Sequence, residues 1–346
     1  MSQDAYEDRA AGAIVGTFVG DALGAGCHWY YDVDQLRATY GWVEGYVRPR
    51  PGHYHDMLEP GQFSQTGQIL LLTLESLAER GEHDPLDLGR RLDGLLETLD
   101  GTSFSGRYSN GYVCDLYRAR QAGRGWDDPR TPSWSDTSEA AMRAPLLVAR
   151  YGRERAAAGR EVLRNVRSTH QDPLVVAQST AFGLVVRELV AGAPLSPGVA
   201  AAARSLAKGP AALARDPGAR GLAPPPSEEL PLIDAILQPA YVIGAAQDPA
   251  TRLEEPWKIA RVYGLACAIN FLIPAAYYLA ACYPGEFEAP VLQAVNGPGN
   301  NMARAALTGA LAGAQVGLSG IPARFLEGLE QGERIVELAR TVAASA

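Results

Sequence analysis

The chain has 346 residues, 47% hydrophobic and 20% charged, with a net charge of −8. That length admits one large domain or two ordinary ones, with enough apolar chain for a core that needs no disulfide or metal staple. No basic block or Lys/Arg stripe is present to gain counterion-release energy, which excludes a nucleic-acid partner. Cys27, Cys114, Cys267 and Cys282 form no C-x-x-C pair and read as buried free thiols rather than a zinc site.

The first ten residues are acidic and carry no secretory signal pattern, so a cytoplasmic protein is expected. Apolar residues at i, i+3, i+4 and i+7 predict helices over 11–26, 66–80, 138–152 and 172–192. The segment 208–231 is polar and Pro-rich and is expected to be a surface loop. The longest apolar run, 263–282, approaches spanning length at roughly 20 residues. It contains Asn270 and Pro274 and lacks flanking anchors, so it reads as one or two buried core helices with no membrane partner. Further helices are predicted over 303–317 and 328–344. No hairpin turn separates two alternating runs, which leaves no support for a sheet. The expected fold is all-α: a single compact orthogonal helical domain over 1–346.

Two stretches stand out within this pattern. Gly12, Gly16, Gly20 and Gly24 recur every four residues, which places them in one groove of a helix. Each costs about 1 kcal/mol of helix propensity, so close helix–helix approach is the expected purpose, with Gly309 and Gly313 as the matching pair. Asp21 interrupts this groove, and a carboxylate there must be paired. Anchoring a neighbouring loop and serving as a site carboxylate are equal readings. The second stretch, NGPGNNMARAALTGALAGA (296–314), runs from a Gly/Pro/Asn loop into a small-residue helix whose first amides could hold an anion.

The stretch GAIVGTFVGDALGAGCHW (12–29) resembles the opening motif of the ADP-ribosylglycohydrolase family. GQFSQTGQILLLTLE (61–75), SEAAMRAPLLV (138–148), STHQDPLVVAQSTA (168–181) and AVNGPGNNMARAALTGALAGA (294–314) resemble its later motifs in the same order. The resemblance implies an all-α fold and a site that holds two magnesium ions against the ribose of an ADP-ribosyl group. It also shows how far this chain departs. Ser64 stands for the family's Thr, but Gln65 and Thr66 stand for two aspartates. Asn300 and Met302 stand for two more, Ala303 for the final Thr, and His28 for an acidic residue. Magnesium requires hard oxygen ligation with carboxylate charge, and a thioether is the wrong ligand type. No metal and no cofactor are therefore expected. The CHWYYD stretch (27–32) and the Asn-rich approach to Arg304 resemble the crystallin J branch, whose members lack the metal set.

Several polar groups remain at the motif positions. His28, Asp21 and Glu139 are the candidate acid–base residues, since a metal-free site must move protons with side chains. Trp29, Ser64, Gln65, Thr66, Tyr112, His170, Asn296, Asn300, Asn301 and Arg304 are the candidate ligand-binding residues. Asp32 is a further polar group at the first motif. The run Trp29, Tyr30, Tyr31 reads either as a stacking platform or, more simply, as core. Asp172, two residues after His170, reads as a helix N-cap. His53, His55 and Asp56 have metal-compatible spacing but sit in a sequence that reads as a polar loop, and Cys27 shows nothing that argues for a reactive thiolate. The expected partner is a small molecule, ADP-ribose-like or another metabolite. Two functions follow: a metal-independent enzyme acting on a small ligand, with an N-glycosidic (ribosyl) bond as one candidate target, or a ligand-binding or structural pseudoenzyme of the crystallin J type.

Overall fold

The computed structural model describes residues 2–199 and 239–346, so the 208–231 segment lies outside the described residues. Helix α1 (Gln3–Gly26) is the centre of the molecule. Ser2 caps it by accepting from the Ala5 amide, and every residue from Ala10 to Gly26 is buried. A helix apolar on all sides must be enclosed by other helices.

The glycine groove explains how. A Cβ at Gly12 would meet the Gly313 carbonyl, one at Gly16 the Gly309 carbonyl, one at Gly20 the Ala305 carbonyl and one at Gly24 the Met302 backbone. The partner numbers fall by four, four and then three as the α1 numbers rise by four. The helix Asn301–Val316 therefore runs antiparallel to α1 with backbones touching, as the paired small-residue spacing predicted.

Around this pair stand α2 (Val33–Tyr40), α3 (Gln65–Arg80), α4 (Pro85–Leu96), α5 (Gly111–Gln121), α6 (Glu139–Met142), α7 (Ala144–Tyr151), α8 (Arg155–Arg167) and α9 (Pro173–Val190). After the gap come α10 (Pro239–Gln247), α11 (Ile259–Tyr263), α12 (Ile269–Cys282), α13 (Glu288–Val295), α14 (Asn301–Val316), α15 (Ala323–Glu327) and α16 (Gly332–Ala344). The apolar 263–282 run is mostly the buried α12, with Pro274 inside it. By composition α9 is apolar and long enough to cross a membrane, yet 72% of it is buried inside the molecule.

The described residues form one compact all-α unit without strands. Their three isolated bridges, Tyr30 with Gly299, Ser133 with His170 and Thr137 with Ala268, pin together the loops that carry the site. Gly299 shows why glycine is needed there. Its φ is +78°, and an added Cβ would meet the Leu265 backbone. Its amide donates to the Tyr30 carbonyl at 2.6 Å.

Candidate active site

Ser64 caps α3, accepting from the Thr66 and Gly67 amides. Asp21 holds Ser64 in turn, taking its amide at 2.7 Å and its hydroxyl at 2.8 Å on separate carboxylate oxygens. Burial pushes the Asp21 carboxyl up to about 6 against the opposing pull of those two bonds. Asp21 thus fixes the start of α3 on the central helix, which is the anchoring reading of this residue.

Next to the α3 terminus lies Glu139, at the start of α6. One of its oxygens accepts from Asn110 Nδ2 at 2.6 Å, while the other is buried without a partner. Burial pushes its carboxyl up to about 7. Asn110 also reaches Thr66 Oγ1 at 3.5 Å, which joins α3 to α6.

A chain of buried polar contacts supports this region from behind. His83 Nδ1 meets Glu161 at 3.0 Å and its Nε2 faces Asn165. Asn165 Oδ1 accepts from Arg143 Nε at 2.8 Å, and Arg143 Nη2 donates to Thr169 Oγ1 at 2.5 Å. Thr169 Oγ1 lies 2.9 Å from His170 Nδ1. The Thr169 hydroxyl also faces the Val166 carbonyl at 3.5 Å, so its proton has two acceptors within reach. Burial holds His170 neutral, well below its ordinary pKa, and its ring packs on Tyr112 at 4.7 Å. His170 Nε2, Arg143 Nη1, the Tyr112 and Ser138 hydroxyls, Gln65 Oε1 and the free Glu139 oxygen are all buried without partners. A native interior rarely leaves such groups unpaired unless a ligand or water meets them.

A second group of residues is aromatic. His28 neighbours Trp29, Tyr54 and His55, and Trp29 stacks with Tyr31 at 5.8 Å. Tyr54 extends the row to Phe104 and Tyr108. His28 Nδ1 is 3.1 Å from Asn301 Oδ1, so it donates, and Nε2 keeps the lone pair. Burial, with His55 adding to it, holds His28 well below its ordinary pKa. His53 donates from Nδ1 to the His28 carbonyl at 2.7 Å and stacks on Tyr30. His55 is buried with both ring nitrogens unpartnered, and burial pushes it down to about 4. Among the described residues no three His, Cys, Asp or Glu side chains are grouped to hold a metal, so the His53/His55/Asp56 spacing does not produce a site. Cys27 lies buried beside Asn301, and burial pushes its thiol up to about 12, the inert state.

The start of α14 differs from the expected anion cradle. The amides of Gly299, Asn300 and Asn301 donate to Tyr30, Leu265 and Gly299 carbonyls, so none of these three is free to meet an anion. Asn300 Oδ1 caps the Ala303 amide. Asn301 donates to the Val295 and Cys27 carbonyls. Arg304 is buried and donates to the Ala294, Gly297 and Pro298 carbonyls, and Asn296 holds both the amide and the carbonyl of Val43. These four side chains hold the 294–300 turn against its neighbours, with Arg304 Nη1 left buried without a partner. Asp32 and Asp172 are likewise occupied as the N-caps of α2 and α9.

A sequence profile described as ADP-ribosylglycohydrolase matches residues 2–346. The chain belongs to the ADP-ribosylglycohydrolase family. A protein of Archaeoglobus fulgidus described as uncharacterized is 27% identical to this family member over 337 residues, covering 96% of this chain and 95% of that one. A solved structure of an ADP-ribosylglycohydrolase-related protein complex superposes with a TM-score of 0.64 at 23% identity, covering 98% of each chain, and that likeness speaks for the fold.

The residues at the family's magnesium positions do not fit a dimagnesium cluster. Met302 is packed with Ala25 and Leu58 in a small apolar group, and Asn300 Oδ1 is engaged by its own helix. Gln65 and Thr66 offer an amide and a hydroxyl where charge is required.

Of the candidate residues, Gln65, Thr66, Tyr112, Glu139 and His170 are brought together, with Ser64 and Asp21 beneath them; His28 and Trp29 join the ring row. Sequence reasoning missed Asn110, Arg143, Tyr54, Phe104 and Tyr108. Only Arg143 left a signal, as a charged residue inside an apolar helical pattern.

Proposed function

We propose that this chain is a metal-independent enzyme that hydrolyses a glycosidic bond in a small ligand, with Glu139 carrying the proton. The single observation behind this is the Glu139 carboxyl: buried, held by Asn110 on one oxygen, free on the other, and tuned to about 7 by burial. A group tuned near neutrality suits both giving and taking a proton. The surrounding free donors and acceptors suit the hydroxyls of a sugar, each of which donates and accepts.

In the proposed step the bond from the anomeric carbon to the leaving nitrogen breaks. Its electron pair goes to the nitrogen, which takes the Glu139 proton. Water then adds to the oxocarbenium carbon and returns a proton to Glu139. The ionised Asp21 carboxylate, one of the charges that bears on Tyr112, favours the positive charge on the sugar. His28, neutral with a free Nε2 lone pair, is available as a hydrogen-bond acceptor on the aromatic side.

A second reading, a ligand-holding pseudoenzyme, draws support from Asp21, Asn300, Asn301 and Arg304, whose polar groups are engaged in internal bonds. Single-turnover incubation with a ribosyl N-glycoside separates the two. Release of the free base that is lost in Glu139→Gln supports the enzyme, whereas binding without product at any enzyme concentration supports the pseudoenzyme.

A further inference from the structure

The ring row beside the polar cluster is not core packing. Tyr31 is 56% exposed and Phe104 66% exposed, although each packs against a neighbouring ring. Tyr54 and Phe104 lie nearly parallel at 17°, and Trp29 meets Tyr54 at 5.5 Å. Trp29 Nε1 is a buried donor without a partner, and both nitrogens of His55, one a donor and one an acceptor in the neutral ring, are buried without partners as well.

Two short paths join these rings to Glu139. Tyr108 is two residues from Asn110, which holds the Glu139 carboxylate. Cys267 lies close enough to Tyr31 and Tyr108 on one side and Glu139 on the other to bear on all three, and it adjoins Ala268, whose bridge to Thr137 lies two residues from Glu139. Charge along the ring row gives an anion little to pair with. Arg107 is paired through two bonds with Glu330, Arg304 gives Nε and Nη2 to carbonyls and keeps only Nη1 without a partner, and the amides that open α14 are engaged as well. Arg143, whose Nη1 is buried without a partner, stands at the polar end, where its charge bears on Tyr112 and His170 and not on the rings.

Resting on the reading of the polar cluster as a sugar site, we propose that the ring row binds a planar, unphosphorylated aglycone. The ligand is then an aromatic-ring glycoside rather than a nucleotide derivative. The sugar sits over Glu139, Tyr112 and His170, and the ring stacks along Tyr31, Trp29, Tyr54 and Phe104.

Calorimetric titration of the full chain with four compounds tests this: adenosine, 4-nitrophenyl β-D-ribofuranoside, methyl β-D-ribofuranoside and ADP-ribose. The two ring-bearing neutral ribosides are expected to bind about tenfold more tightly than the methyl riboside, the scale of one aromatic stack. ADP-ribose is expected to bind more weakly than adenosine. Phe104→Ala, at an exposed position, removes most of the preference for rings and leaves methyl riboside affinity unchanged. ADP-ribose binding at least as tightly as adenosine overturns the inference, as does a ring preference that survives Phe104→Ala together with Tyr31→Ala. The sugar reading has a separate readout. Methyl riboside binding that weakens in Glu139→Gln, with no gain from a ring, overturns the ring inference alone. Ring binding that is indifferent to Glu139→Gln overturns the sugar reading, and failure of all four compounds to bind overturns both.

Discussion

Glu139 shows how environment assigns a role to a side chain. Its folded-state carboxyl lies near 7 instead of the ordinary 4.5, with burial as the main cause. The folded state therefore holds this proton more tightly than the unfolded chain does. The resulting stabilisation is complete below about pH 4.5 and is lost as pH rises toward 7. Glu139→Gln is neutral throughout, so its stability relative to the parent should rise across that window by on the order of 3 kcal/mol. Urea unfolding at pH 5 and pH 8 measures it, and an equal difference at both pH values would show that Glu139 ionises freely. On a cleaved ribosyl substrate the same variant should lose roughly 10²–10⁴-fold in turnover. Activity should also fall as pH rises through 7 and the acid form disappears, and a profile flat to pH 9 argues against Glu139 as the acid.

At the scale of elements, two devices are open to test. Ser64 both caps α3 and satisfies Asp21. Ser64→Ala removes a cap, worth about 1 kcal/mol, and strips one bond from a buried carboxylate, costing about 1–3 kcal/mol more. The thermal midpoint should fall accordingly, and an unchanged midpoint would mean that Asp21 finds another partner. The contact between α1 and α14 is the second device. Gly16→Ala gains about 1 kcal/mol of helix propensity. It also drives a methyl into the Gly309 carbonyl, a backbone group that cannot yield as a side chain would. Overpacking of this kind costs about 1–3 kcal/mol or more, so the variant should be destabilised. Gly94→Ala is the control, because nothing lies within 4 Å of its added methyl. It should be stabilised by a few tenths to about 1 kcal/mol, and the opposite signs of the two variants are the diagnostic result.

At the scale of the molecule, the rebuilt magnesium positions lead to a prediction for the whole fold. A ligand that binds only the native state raises its stability by RT ln(1 + [L]/Kd). With Met302 in an apolar group and Asn300 engaged as a cap, millimolar magnesium should leave the thermal midpoint unchanged, and so should a chelator. A rise of several degrees with magnesium, reversed by chelator, would mean that the site recruits ions through groups other than those matched to the family's ligands.

The sequence alone determined the helical class, the close contact of α1 with α14 and the departure from the family's carboxylates. Each of these is a local property: a period of apolar residues, a four-residue recurrence of glycine, or the identity of a side chain at a matched position. Asn110, Tyr54, Phe104 and Tyr108 stayed hidden because an isolated Asn, Phe or Tyr in a loop has no periodicity to mark it. Only the tertiary structure could show that Asn110 reaches Glu139, or that Tyr31 is exposed while Tyr30 beside it is buried. The same holds for the Asn-rich turn before α14. Its amides look free when only its own segment is read, and the Tyr30 and Leu265 carbonyls that engage Gly299 and Asn300 come from distant parts of the chain. Whether a polar group is free for a ligand depends on every element packed around it, because desolvation and pairing are set by neighbours in space and not by neighbours in sequence.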